Sequence, residues 1–263
     1  MIVDSLTHVT PDGRWFNTTM DASEHELLRQ LDRFAVQRAV VVALAGHIEN
    51  QFVHDVCQRH SDRLLACASF NPAAHKSLAD VRKDLRAQLL GHEYKALKLH
   101  PRLNRYDPLD PRCLEVLDGV SSLEKPLPVW LDTLFYFRGG QLRKPLVDTI
   151  HELVGRFPSL TFVLLHGGGS WILQVAEAIR DCPNAFLDLS FTMTRYRSSS
   201  IAADLRYILE NFDRRVIFGS DFPEVSIGSA LETFREVASG ISSEKCTNIL
   251  GGNLSKILSL EDA

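Results

Sequence analysis

Short, β-branched, nearly all-apolar runs recur along this chain with starts about 30 residues apart, the period of a βα unit. They lie at 2–6 (IVDSL), 38–43 (RAVVVA), 64–69 (LLACAS), 94–99 (YKALKL), 127–132 (LPVWLD), 160–165 (LTFVLL), 184–189 (NAFLDL) and 214–219 (RRVIFG). Between them the apolar residues change to helical spacing. In the first such segment Leu27, Leu28, Leu31, Phe34 and Ala35 share a face, Glu24, Glu26 and Arg29 point outward, and Asp21 or Ser23 is placed to cap it. Further helices are expected near 48–60, 73–89, 111–122, 144–156, 170–181, 200–212 and 228–239. Continuous apolar strands imply a parallel sheet covered on both faces. Eight units in 263 residues predict one α/β domain over 1–263, a (β/α)8 TIM barrel. A doubly wound sheet is disfavoured, because the first turn, Ser-Leu-Thr-His, has no G-x-G-x-x-G.

Composition narrows the function classes. A net charge of −4 gives no general pull toward nucleic acid or an anionic membrane. The apolar runs are far shorter than the roughly 20 residues of a membrane helix, and no signal peptide is visible. Five scattered cysteines without a C-x-x-C pair fit reduced thiols and a cytoplasmic location. A small-molecule substrate is the expected partner, and a homo-oligomer is compatible with the sequence.

The ends of barrel strands converge on one mouth. There the chain places His8 after strand 1, Lys98 and His100 at strand 4, Asp132 ending strand 5, His166 after strand 6, Arg195 and Arg197 after strand 7, and Asp221 after strand 8. Tyr136 and Arg138 follow strand 5, Arg102 and Arg105 follow strand 4, and Trp15 and Phe16 offer an apolar wall. Arginine forks suit a carboxylate or phosphate, so an anionic substrate is expected, with Lys98, His100, Tyr136, Arg138 and Arg195 as its contacts. The HGGG at 166–169 has no G-x-S-x-G elbow to serve and is expected to turn the chain tightly. Cys67 has no basic neighbour in sequence and is expected to be a structural thiol.

The phrases IVDSLTHV, YKALKLHP with DPLDPRCLEVL, LPVWLDT, FPSLTFVLLHGGG, NAFLDLS, VIFGSDFP and ILGGNLSKILSL run in order from first strand to last helix. Together they resemble the amidohydrolase superfamily, in its amidohydrolase-related (amidohydrolase 2) branch. That resemblance implies a hydrolase, a lactonase or a nonoxidative decarboxylase acting on small, often carboxylated compounds. It also implies a metal held by a His-x-His after strand 1, histidines after strands 5 and 6, and an aspartate after strand 8. Carried over, the first histidine falls on Leu6, the second on His8, the strand 5 histidine on Asp132, and the last two ligands on His166 and Asp221. Two usual ligands are thus altered. Two centres follow as expectations. In one, His8, Asp132, His166 and Asp221 hold a divalent ion (zinc, manganese or iron). In the other, Asp221 is the base and His166 its partner without a metal. A barrel that binds without turnover is the third possibility.

Overall fold

The computed structural model describes residues 1–134 and 142–260. Its strands follow the apolar runs: β1 (Val3–Thr7), β2 (Arg38–Val42), β3 (Leu64–Phe70), β4 (Ala96–Leu99), β5 (Val129–Asp132), β6 (Phe162–Leu165), β7 (Ala185–Asp188) and β8 (Val216–Ile217). They form one parallel sheet in sequence order, β1 to β8. Most are shorter than or shifted from the expected run, and β3 runs one residue beyond it, because pairing, rather than hydrophobicity, sets where a strand ends.

The sheet's two margins meet. Ser5 N donates to Phe218 O (3.1 Å), Asp221 N to Leu6 O (2.9 Å) and His8 N to Phe222 O (2.8 Å). Inside the barrel, the Trp130 indole on β5 donates to Ser5 O on β1 (2.9 Å).

The strand period of two sorts side chains between two apolar layers. Val40, Val42, Leu65, Cys67, Ala96, Trp130, Val163, Leu165 and Ile217 fill the barrel interior together with Leu6, while Val41, Leu97, Leu99, Leu131 and Leu164 face the helices. Leu6 is fully buried in that interior. A side chain of its size gains about 1.5–3 kcal/mol from such burial, so it is a core residue as well as an absent ligand.

Helices cover the sheet where the spacing predicts them. The first, Glu24–Arg33, starts at Ser23, whose hydroxyl accepts from Glu26 N (3.1 Å), and it buries Leu27, Gln30 and Leu31. Asp21, the other candidate cap, accepts from Ser23 N instead (2.8 Å). Gln30 accepts from Ile227 N at the start of helix Ile227–Val237 (2.9 Å), which ties the first helix to one beyond β8. After β6, Gly167, Gly168 and Gly169 all take positive φ (54°, 78° and 63°), the tight turn expected of HGGG. The five cysteines are free, and no helix among the described residues is long and apolar enough to cross a membrane.

Candidate active site

The inward register that carries Ala96 on β4 also carries Lys98 and His100, and the one that carries Trp130 on β5 carries Asp132. At the barrel mouth these side chains meet a pocket of about 230 Å³. His8, Lys98, His100, Arg102, His166 and Asp221 supply its polar lining, and Trp15, Phe16, Leu44 and Phe191 its apolar wall. Trp15 stacks on His8 (centroids 5.2 Å apart, planes at 23°), and its indole donates to Glu224 (2.6 Å).

Hydrogen bonds fix the protonation of the three imidazoles. His8 Nδ1 lies 2.6 Å from Val42 O, a carbonyl that can only accept, so Nδ1 carries the hydrogen and Nε2 presents a lone pair to the pocket. Burial, with Lys98 nearby, holds this ring well below the usual histidine range, hence neutral. His100 Nδ1 accepts from Leu103 N (3.4 Å), so its Nε2 hydrogen points at Asp132, 3.4 Å away. Burial lowers His100 to about 3, consistent with that neutral form. His166 is different. Its Nδ1 faces Ser190 O (3.1 Å) and its Nε2 faces Asp132 (3.4 Å), so each nitrogen has an acceptor and the surroundings favour the protonated ring. Burial alone would lower its pKa, but Asp132, Asp221 and Asp188 outweigh burial and raise it.

The two carboxylates have opposite surroundings. Asp132 is fully buried, with His100 and His166 each at 3.4 Å, Arg102 at 3.5 Å and Leu134 N donating at 3.2 Å. Burial alone would raise its pKa, but His100, His166 and Arg102 hold it well below the usual carboxylate range. Asp221 is raised to about 6 by burial, with His166 and Lys98 opposing. Its nearest ionic partner is the neutral His8, 4.0 Å away, and no described residue donates a hydrogen bond to its carboxylate. One acid is committed as a counter-ion, and the other is open to the pocket and close to proton exchange at neutral pH.

This donor set does not fit a divalent ion. Leu6 stands where the family pattern has its first histidine and Asp132 where it has a third, so two ligand types are changed. Asp132 is spent on protein cations, and Leu6 cannot ligate. His8, His166 and Asp221 remain by type, but among the described residues no group of three or more histidine, cysteine, aspartate or glutamate side chains converges on one point. Lys98, Arg102 and His166 place the protein's own positive charge around the two carboxylates where the family pattern would put a metal.

A polar layer beneath the pocket supports these groups. Asp188, at the end of β7, accepts from the hydroxyls of Ser5 and Ser190, and from Ser190 N (3.0 Å) and His166 N (3.3 Å). Asp4 accepts from Leu6 N (3.1 Å) and Ser220 N (2.9 Å), which anchors the segment leading to Asp221. Burial raises Asp4 to about 7. His166, Phe191 and Asp221 all have positive φ (64°, 59° and 68°), backbone strain concentrated around the pocket. Gly219 leaves room for the Asp188–Ser5 contact, since a Cβ there would run into both side chains. Gly219→Ala is therefore expected to cost about 1–3 kcal/mol, measured by denaturant unfolding. An unchanged midpoint would show that the polar layer yields easily.

Of the residues singled out in the sequence, His8, Lys98, His100, His166 and Asp221 line the pocket, and Asp132 lies behind it. Arg195 does not line it, its guanidinium lying over the rings of Phe191 and Tyr196. Tyr136 and Arg138 fall outside the described residues. Cys67 is fully buried, and burial raises its thiol far above the usual range, as suits a structural residue. Sequence reasoning overlooked Asp188 and Glu224. Asp188 had a signal, because it ends its strand as Asp132 does. The role of Glu224 depends on Trp15, 209 positions away in the chain.

Comparison with known proteins bears on this geometry. The family model described as Amidohydrolase matches residues 4–258. An uncharacterized TIM-barrel protein from Bordetella bronchiseptica superposes with a TM-score of 0.77 at 18% identity, covering 98% of each chain. A probable 2-pyrone-4,6-dicarboxylic acid hydrolase from Acinetobacter baumannii, with citric acid bound, gives 0.68 at 17% identity, covering 98% of this chain and 99% of that one. A 5-carboxyvanillate decarboxylase from Sphingomonas paucimobilis gives 0.68 at 14%, covering 99% of each. No curated protein matches the sequence.

Proposed function

The chain belongs to the amidohydrolase family, and from that membership we propose that it hydrolyses a small carboxylated ester or lactone, with Asp221 as general base and no metal. The contrast between Asp132 and Asp221 carries the reading, because two acids in one site with diverging pKa values mark an acid/base assignment. A water between His8 Nε2 and Asp221 gives one hydrogen to each; Asp221 takes its proton as the oxygen attacks the carbonyl, and returns it to the leaving alkoxide as the tetrahedral intermediate collapses and the ester C–O bond breaks. The Lys98 ammonium stabilises the developing oxyanion from the pocket floor, and Arg102 at the rim receives a substrate carboxylate. An unactivated amide needs more help than this set provides, whereas an ester or lactone has a better leaving group. The Acinetobacter neighbour is named a probable hydrolase of such a lactone, one bearing two carboxylates.

The test is turnover on a panel of mono- and dicarboxylated lactones, with protein stripped of metal by chelation. Activity that survives chelation supports the reading, and activity restored only by added zinc or manganese sinks it. Ligand binding without turnover on any member would favour a binding barrel.

Nonoxidative decarboxylation is the second reading, favoured by the same raised Asp221, whose protonated form can deliver a proton to a ring carbon. The two readings differ in sign. A hydrolytic base loses activity as pH falls below about 6, while a proton-donating acid loses it as pH rises past that value.

A further inference from the structure

Among the described lysines, Lys98 is the only one with a buried side chain. It lies in the interior row of β4, above Ala96, and lines the pocket with its amine end. No described carboxylate oxygen lies within 4.0 Å of its Nζ, and no hydrogen bond to a described residue holds it. No carboxylate therefore ties down the nitrogen, and the long apolar stem is buried in the barrel. Beside it stand an open carboxyl, Asp221, and an imidazole ring, His166, and the Arg102 guanidinium sits at the rim.

We propose that Lys98 is an amine nucleophile that forms an imine with the carbonyl carbon of a short 2-oxo acid bound in this pocket. The carboxylate of the oxo acid pairs with Arg102. The Nζ lone pair attacks the carbonyl carbon and the carbonyl π pair moves to oxygen. Asp221 takes a proton from nitrogen and returns it to that oxygen, giving a carbinolamine. The hydroxyl then leaves as water, taking a second proton from nitrogen by way of Asp221, and the C=N bond forms, so amine plus carbonyl gives imine plus one water. Desolvation lowers Lys98 against the pull of Asp132 and Asp221, so the ammonium that faces an oxyanion in hydrolysis gives up its proton more readily than a solvated lysine, and the free amine is the form that attacks a ketone. This activity goes beyond ester hydrolysis. An ester carbonyl meets water held by His8 and Asp221, while a ketone carbonyl meets the amine.

The experiment treats the wild-type chain with pyruvate and sodium cyanoborohydride near neutral pH, which reduces an iminium to a stable secondary amine. Intact mass and peptide mapping are then followed with time. The expected result is one 1-carboxyethyl group per chain on Lys98, forming about tenfold or more ahead of the exposed Lys76, Lys83 and Lys125, the advantage of a desolvated amine over solvated ones. Lys98→Arg, which keeps the charge, should lose this early adduct. Labelling of Lys98 no faster than of those three lysines overturns the proposal, and that comparison within one wild-type chain needs no variant to fold. Lactone turnover measured in parallel separates the two readings, because the adduct requires no hydrolysis and hydrolysis requires no adduct.

Discussion

Asp221→Asn is expected to lower kcat by about 10²- to 10⁴-fold, the contribution of a positioned general base, with little change in KM. Asparagine keeps the size and the positive-φ tolerance of the site but cannot take a proton. In the wild type, activity should rise about tenfold per unit as pH climbs toward about 6 and level off above it, because Asp221 acts only when ionised. The residual activity of the variant should lose that step. A variant with wild-type kcat, or one that keeps the same pH step, would remove Asp221 from the chemistry. Unchanged thermal unfolding would show that the loss is local.

Asp132→Asn should act on stability first. The carboxylate is fully buried and faces His100, His166 and Arg102, so neutralising it leaves buried cations without a counter-charge. Breaking such a set by removing one partner costs about 3–5 kcal/mol. For a chain of this size that is a drop in Tm of about 10 °C. The effect has a pH window. Asp132 is depressed in the fold, so its stabilisation is present above the unfolded carboxyl value near 4 and is lost as pH falls through the folded value. His166 is raised, so its share is complete below about 6.5 and fades as pH rises through the folded value. The difference in Tm between wild type and variant should therefore be greatest between about pH 4 and 6.5. A difference that stays flat from pH 4 to 9 would mean that packing, not charge, sets it. The role of Asp132 as a counter-ion also predicts that Asp132→Asn weakens catalysis through a misplaced His166, not through loss of a ligand.

The barrel was legible in the sequence because its signal is repeated and local. β-branched runs at one spacing, alternating with amphipathic segments, leave little freedom in fold class. His8, His166 and Asp221 were legible for a related reason, since a polar residue where an apolar strand ends has no core role. What the sequence withheld is pairing. Asp132 reads as a fourth ligand, and only the fold shows that Arg102 and His166, 30 and 34 positions away, share its carboxylate. His166 reads as a ligand, and only the fold shows the carbonyl of Ser190 on its other nitrogen. Arg195 looked like a substrate contact by position, but helix Thr192–Tyr196 carries it over two aromatic rings instead. Hydrogen-bond partners decide protonation, and sequence spacing does not list them.

The seam between the first and last strands has a consequence for how such a chain acquires its activity. His8 comes from one margin of the sheet and Asp221 from the other, and the bonds Asp221 N–Leu6 O and His8 N–Phe222 O set their separation. A chain that has built seven units owns every cation of the site yet lacks its working base. On the proposed mechanism turnover reports ring closure itself, and a C-terminally shortened chain is expected to stay silent however much of its sheet is in place.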